Sequence, residues 1–185
     1  MKPSVRERLL DAADELFYEE GVRTVGIDRV IERAGVAKAS LYSTFGSKDE
    51  LVRAYLNRRR EARQERLTAI VAAHPEPRAK ILAIYDSLGE LSRRPGFRGC
   101  AFVNASAEAP AGSAAEQVTD DLRGWVRALL RELATQAGAA APEQLANQLV
   151  VLSDGAIVGA RLDHAPTGIA AARAAAAALI DAACA

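Results

Sequence analysis

A run of short polar and basic side chains between positions 38 and 48 is the part of this sequence best suited to a specific chemistry. Within it, Leu41 and Phe45 are four residues apart and form an inward-facing pair, so the other side chains point outward. A helix that enters the major groove of DNA, about 12 Å wide, needs short polar side chains for base edges and flanking donors for phosphates. We therefore expect DNA contacts at Thr24, Lys38, Ala39, Ser40, Tyr42, Ser43, Thr44 and Lys48.

Other chemistries find little support in the sequence. His74 and His164 are the two histidines, and no Ser-His-Asp set, glycine-rich phosphate loop or metal-ligand spacing accompanies them. We expect no enzyme activity, no cofactor and no metal. Cys100 and Cys184 are far apart and are expected to be free thiols in a reducing cytoplasm, with oxidation sensing at Cys100 as the alternative.

The charge is unevenly distributed along the chain. The formal net charge is zero, but residues 21–66 contain eleven Lys or Arg against six Asp or Glu. A local basic zone suits phosphate contacts, although surface helices that simply carry arginine would give the same count. No signal segment and no apolar run of about twenty residues is present, so we expect a cytoplasmic protein without a membrane partner.

The polar run is predicted to lie on the second helix of a helix-turn-helix. Apolar residues recur at helical spacing over 27–34, and Gly35 follows, which can adopt the left-handed conformation of a tight turn. The next helix covers about 38–45. A capping box at Ser4 begins the first helix, and a second box, Ser47 to Glu50, begins a long fourth helix that reaches about residue 73.

The remaining pattern predicts five more helices and no strand. Half of the residues are hydrophobic, much of that half is alanine, and aromatic residues make up only 5%, a composition typical of closely packed helices. The predicted fold is all-α with about nine helices. We expect a three-helix DNA-binding domain at 1–47 and a ligand-sensing and dimerisation domain at 48–185, with the helix 48–73 connecting them.

The segment GVRTVGIDRVIERAGVAKASLYSTFGSKDEL resembles the amino-terminal domain of TetR-type transcriptional regulators. The resemblance is tight over about the first fifty residues and implies that Tyr42 and Lys48 hold phosphates while residues 38–44 face base edges. Three positions depart from the usual pattern: Gly26 and Ala37 lack the common hydroxyl caps, and Thr44 replaces a histidine. The resemblance also implies a homodimer on a pseudo-palindromic DNA operator.

For the carboxyl-terminal body, the sequence suggests a dimer surface and a ligand pocket. Small residues allow helix backbones to approach closely, so the last two helices are expected to pair with their mates, or alternatively to pack tightly within one chain. The dimer candidates are Gly155, Gly159, Ala160, Ala174 and Ala178. The pocket candidates are Tyr85, Phe102, Asn104, Glu108, Trp125 and Leu129. Aromatic residues at helical spacing are more often core than ligand wall, so Asn104 and Glu108 are the better candidates of the six.

The expected function is that of a ligand-responsive regulator, a dimeric repressor released from its operator by a small, largely apolar inducer. The alternatives are a TetR-like activator or a DNA-organising protein without an inducer. An enzyme, or a helical ligand-binding or scaffolding protein, is the rival from another class.

Overall fold

The computed structural model describes residues 3–184. All regular structure within that range is α-helical, as the sequence predicts. The helices are α1 (Val5–Glu20), α2 (Ile27–Ala34), α3 (Lys38–Phe45), α4 (Lys48–Ala72), α5 (Pro77–Ser92), α6 (Ala101–Glu108), α7 (Ala114–Gln136), α8 (Pro142–Leu162) and α9 (Thr167–Ala183).

The capping box predicted at the start of α1 is present. The Glu7 amide donates to Ser4 Oγ at 3.2 Å, and the Ser4 amide donates to Glu7 Oε2 at 2.6 Å. Burial and the Ser4 hydrogen bonds act on the Glu7 carboxyl, and those bonds dominate and lower its pKa. The buried face of α1 includes Leu9, Ala13 and Phe17, whereas Val5 is 42% exposed because it lies in the first turn, ahead of this packing.

The turn between α2 and α3 is fixed by backbone geometry. Gly35 has φ +62° and ψ +44°, the left-handed conformation, and the amides of Gly35 and Val36 donate to carbonyls of the last turn of α2. Arg8 of α1 adds a side-chain bond, because its Nη2 donates to the Gly35 carbonyl at 2.7 Å. Val30 of α2 and Leu41 of α3 are fully buried on the two sides of this turn.

The start of α4 carries half of its predicted capping box. The Glu50 amide donates to Ser47 Oγ at 3.1 Å, but the Glu50 carboxylate accepts from Arg53 Nε at 3.2 Å. The arginine therefore takes the oxygen that a complete box would direct back toward Ser47.

The chain divides into two compact units by its internal contacts. The first unit contains residues 1–62 and 101–121, so α6 and the first third of α7 belong with the amino-terminal helices. In this unit Phe17 and Tyr55 pack edge to face, with ring centroids 5.6 Å apart.

The second unit contains residues 63–100 and 122–185. Its hydrophobic core includes Ile81 and Leu88 of α5, Leu149 and Ile157 of α8 and Ile180 of α9. Prolines occupy the first turns of α5 and α8, where a missing amide costs nothing because it would have no helical partner. Within residues 3–184, no helix combines the length and apolar character needed to cross a membrane.

Candidate nucleic-acid interface

The eight residues of α3 separate into a buried and an exposed side. Leu41 is fully buried, and Phe45 is half-buried with the Arg6 guanidinium carbon 5.6 Å from its ring centroid. Tyr42 is 46% exposed, a large exposed fraction for an aromatic ring. Lys38, Ala39, Ser43 and Thr44 are exposed as well, and Ser40 is half-buried. The predicted DNA-facing residues of α3 therefore share one accessible side.

Two hydroxyl groups on this side are bonded to the helix itself. Thr44 Oγ1 donates to the Ser40 carbonyl at 2.6 Å, and Ser43 Oγ donates to the same carbonyl at 3.1 Å. Their protons are committed, but their lone pairs remain available. In this state both side chains can accept a hydrogen bond from a base amino group, a property that the sequence does not show.

Lys38 is paired with an acid of the preceding helix. Its Nζ donates to Asp28 Oδ1 at 2.8 Å, and this hydrogen bond raises the pKa of the exposed Lys38 ammonium. A DNA phosphate or base must therefore compete with the Asp28 carboxylate for the Lys38 ammonium.

Lys48, at the start of α4, is half-buried beside the turn that joins α1 to α2. Its Nζ lies 3.5 Å from the Arg23 carbonyl, and the amide of the same residue, Arg23, donates to Glu108 Oε2 at 2.9 Å. Burial lowers the pKa of the Lys48 ammonium, while the nearby Glu108 carboxylate opposes that shift. Lys48 and Glu108 thus contact the carbonyl and the amide of the same residue, Arg23, which precedes the exposed Thr24.

The α1–α2 turn also requires a glycine. Gly21 has φ +97°, and a Cβ there would lie 2.6 Å from Glu108 Oε1. A side chain at this position would displace the Glu108 carboxylate as well as strain the backbone.

Much of the basic charge in residues 21–66 is neutralised within the first unit. Arg33 forms a double hydrogen bond with Glu15, and Arg59 forms another with Asp14 at 2.6 and 2.8 Å. Further pairs join Arg29 to Glu20, Arg58 to Asp11 and Arg60 to Asp121. The local basic excess is therefore partly structural, because it fixes α2 and α4 to their neighbours.

Neither α2 nor α3 has a side-chain cap at its amino terminus. Gly26 and Ala37 are the N-cap residues, as predicted, and no side-chain hydrogen bond is made at either position. The N-cap side chain therefore occupies no first-turn amide in either helix, and uncapped amides of this kind bind phosphate oxygens well.

The six predicted ligand-pocket residues fall into both units. Phe102, Asn104 and Glu108 lie on α6 in the first unit. Phe102 is buried, and the carboxylate of Glu108 is engaged by the Arg23 amide. The pocket assignment of these three residues stays a prediction.

The other three pocket candidates belong to the second unit. Tyr85 is fully buried, and its hydroxyl donates to the Leu149 carbonyl at 2.6 Å, so its hydrogen bond is satisfied by the protein. Burial raises the pKa of the Tyr85 phenol. Trp125 and Leu129 are half-buried beside an open depression on α7. Their role in ligand binding also stays a prediction.

The predicted dimer residues differ in exposure. Gly155, Ala174 and Ala178 are exposed, Gly159 is half-buried, and Ala160 is only 4% exposed because it packs in the core of its own unit. Three large apolar residues of α8 that the sequence reasoning missed are exposed: Val151 (69%), Val158 (46%) and Leu162 (70%). The signal was available, because Val151, Val158 and Leu162 are large apolar residues spaced seven and four apart, which places them on one side of a helix.

No group of three or more metal-binding side chains occurs within the described part of the chain.

Known protein families match this chain over most of its length. The family described as "Bacterial regulatory proteins, tetR family" matches residues 9–55, and "Tetracyclin repressor-like, C-terminal domain" matches residues 77–176. A solved TetR-family transcriptional regulator from Streptomyces coelicolor is 32% identical, with a TM-score of 0.92 over 98% of this chain and 96% of that one.

Two curated relatives match shorter stretches. The HTH-type transcriptional activator FasR of Mycolicibacterium smegmatis is 47% identical over 53 residues, which is 29% of this chain and 24% of FasR. The HTH-type transcriptional repressor NemR of Escherichia coli K12 is 32% identical over 105 residues, 56% of this chain and 53% of NemR. The matched part is thus about a quarter of FasR and half of NemR.

Proteins of the matched family are DNA-binding regulators of transcription rather than enzymes, and they typically dimerise on their operators. The exposed polar side of α3, the glycine turn before it and the match at both ends of the sequence agree with one another. This chain belongs to the TetR family of helix-turn-helix transcriptional regulators.

Proposed function

We propose that the protein is a dimeric transcriptional repressor that binds a pseudo-palindromic operator and is released by a small, largely apolar molecule. The observation that carries the DNA-binding part is the exposed side of α3, which presents Tyr42, Ser43 and Thr44 beside a turn fixed by Gly35. Short acceptors on a rigidly held helix suit base edges, and Lys48 and the uncapped helix termini suit phosphates.

An apolar stripe on α8 supports the dimer. Val151, Gly155, Val158 and Leu162 recur at intervals of four, three and four residues, so they lie on one side of the helix and are all exposed. A stripe of this kind on a water-soluble surface favours a partner, and the exposed Ala174 and Ala178 of α9 allow a second helix to approach closely. Two-fold pairing also gives the specificity that one α3, reading a few base pairs, lacks.

Repression is the more strongly supported direction of control. NemR, a repressor by name, matches over 105 residues, whereas the activator FasR matches over 53 residues. An activator, or a DNA-organising protein that needs no inducer, is the alternative.

The ligand response is supported by the continuous helix α4. Its residues up to Ala62 belong to the unit that contains α3, and those from Arg63 belong to the second unit. If two arrangements of α4 differ in their affinity for DNA, a molecule that binds one of them more tightly changes the affinity of the protein for DNA. DNA then changes the affinity of the protein for that molecule by the same factor.

Selection of bound duplexes from random DNA, followed by mobility shifts in a salt series, tests the proposal. We expect a pseudo-palindromic consensus and a specific affinity that decreases steeply with salt concentration. The matched control is a duplex of the same composition in which one half-site is scrambled. Equal affinity for both duplexes, or enrichment of no sequence, would exclude the operator-binding function.

A further inference from the structure

The arginines of α4 do not all have the same environment. Arg58, Arg59 and Arg60 each lie within 3.1 Å of an aspartate oxygen in the first unit. Arg63 and Arg66, one and two turns further along, make no ion pair with any described residue. The Nε atoms of both are buried without a hydrogen-bond acceptor in the described part of the protein, as is that of Arg60, but Arg60 pairs with Asp121 through its Nη1.

The surroundings of Arg66 make this arrangement costly. Both Arg63 and Arg66 are half-buried, and two of the three charged groups that act on Arg66 are further cations. Burial, together with the positive charges of Arg63 and Arg94, lowers the pKa of the Arg66 guanidinium, and Glu90 opposes this shift. Arg94 is exposed and forms no ion pair with a described residue, so its positive charge adds to those of Arg63 and Arg66.

The cluster of Arg63, Arg66 and Arg94, here called the arginine cluster, adjoins apolar surface of the same unit. Arg63 Nη1 lies 3.9 Å from Cys100 Sγ, and Cys100 and Phe97 pack against the core of the second unit. The thiol sulfur is a weak hydrogen-bond acceptor for the guanidinium. The site therefore combines cations that form no ion pair with a described residue, with Glu90 as the nearby carboxylate, and neighbouring apolar side chains.

We propose that the arginine cluster binds the oxyanion group, carboxylate or phosphate, of a small amphipathic ligand whose apolar part lies toward Phe97 and Cys100. Guanidinium groups present several donors in a planar fork that matches such anions. An anion would also relieve the repulsion among the three arginines. This inference deepens the proposed ligand response and rests on it for any effect on DNA, but binding itself needs no DNA.

The alternative is that these arginines serve packing alone, with their stems on the core and their heads in water. The two explanations predict opposite responses to removal of the charge. If the cluster is an anion site, replacement of Arg66 by an apolar residue of similar length should not destabilise the anion-free protein, because a half-buried unpaired cation is lost.

Calorimetric titration of the full-length protein without DNA measures the binding directly. The probes are sodium hexanoate and inorganic phosphate, with sodium chloride at equal ionic strength as the reference. Hexanoate adds an apolar chain to the carboxylate, so tighter binding of hexanoate identifies a carboxylate ligand, and tighter binding of phosphate identifies a phosphate ligand. Arg66→Met is expected to weaken the preferred anion about tenfold or more, since a charge-assisted hydrogen bond is lost.

The control variant is Arg127→Met, which removes a half-buried arginine of the same unit whose Nε donates to Asn147 Oδ1 at 3.0 Å. It should bind the anion as wild type does. Arg94→Gln, at an exposed position, repeats the charge loss without risk to the fold and should also weaken the anion.

The proposal is overturned if neither anion binds more tightly than chloride, or if Arg66→Met and Arg94→Gln bind it as tightly as wild type. It is also overturned if Arg66→Met lowers the anion-free melting temperature more than Arg127→Met does. If the protein still shifts DNA in these cases, only the anion site is excluded and the proposed DNA-binding function stands. If the protein binds the anion but does not shift DNA, the anion site stands and only its effect on DNA binding is excluded.

Discussion

At the scale of single residues, the DNA-binding side of α3 is defined by which donors and acceptors are already engaged. Lys38 is held by Asp28, and the hydroxyl protons of Ser43 and Thr44 are held by the Ser40 carbonyl. Tyr42 differs, because its ring is 46% exposed and its hydroxyl is not among the groups bonded within the helix. Its hydroxyl can therefore donate a hydrogen bond to DNA without giving up one to a described residue, whereas Ser43 and Thr44 can only accept.

Tyr42→Ala is expected to weaken binding to all duplex sequences by a similar factor, about tenfold, because a hydrogen bond to a phosphate is lost. Tyr42→Phe keeps the ring and should show most of the same loss. Mobility shifts on the consensus and on single-base variants measure both effects. A loss that depends strongly on one base pair would mean that Tyr42 reads sequence instead.

Lys48→Gln is expected to lower the number of counterions released on DNA binding by about one. The slope of log affinity against log salt should decrease accordingly. Lys80→Gln removes the same charge from a half-buried position in the second unit and should leave the slope unchanged. Identical slopes for wild type and Lys48→Gln would contradict the phosphate contact.

At the scale of elements, two local devices position α3: the glycine turn before it and the contact between α6 and the α1–α2 turn. The first depends on one left-handed residue, Gly35, and on the Arg8 bond to its carbonyl. The second depends on Glu108, whose carboxylate accepts from the Arg23 amide next to Lys48. Both contacts involve backbone atoms, so a substitution in either one is expected to change the position of the turn rather than the charge of the DNA-binding surface.

Gly35→Ala is expected to lower the free energy of unfolding by about 1 kcal/mol, because an L side chain is strained in the left-handed region. An added Cβ meets no atom within 4 Å at Gly35, so the cost is conformational. Gly124→Ala in α7 meets no atom within 4 Å either and should instead stabilise the helix by about 0.5–1 kcal/mol. Urea unfolding compares the two, and effects of equal sign would refute the argument.

Glu108→Ala is expected to expose the Arg23 amide to hydrogen exchange and to cost about 1–2 kcal/mol of stability. Glu116→Ala is the matched control, because Glu116 likewise accepts from a backbone amide, that of Gly112, on the other side of the α6–α7 loop. It should cost similar stability and leave Arg23 protected. Exchange at Arg23 that is equal in both variants would show that Glu108 does not hold this turn.

At the scale of the whole molecule, the proposed function depends on how two copies of the chain pair. The stripe of Val151, Val158 and Leu162 on α8 is exposed, and no element among residues 3–184 covers it. The proposed dimer accounts for this exposure, since pairing removes the stripe from water.

Val158→Glu is expected to give a monomer at micromolar concentrations, because pairing would bury the introduced charge. Sedimentation equilibrium measures the mass, and affinity for the two-half-site operator should fall with it. Val103→Glu, at an exposed valine of α6, is the matched control and should stay dimeric. A dimeric Val158→Glu protein would place the interface elsewhere.

The sequence by itself determined the local structure of this protein and its family. The capping box at Ser4, the turn at Gly35 and the end of α4 at Ala72, within one residue of the predicted position, follow from interactions between near neighbours. The same local pattern gave the all-α class, and the matched family confirmed the resemblance in the first fifty residues. Helix periods and caps are encoded within a few residues, so the sequence displays them directly.

Only the tertiary structure decided which charges are free to act. Arg59 pairs with Asp14 across 45 residues, and Glu108 reaches Arg23 across 85 residues, so neither contact leaves a local pattern. For the same reason the sequence did not show that Arg63 and Arg66, unlike Arg58, Arg59 and Arg60, form no ion pair with a described residue. Such contacts depend on how helices that are distant in sequence pack together. Packing brings charged residues into contact whose spacing along the chain forms no pattern.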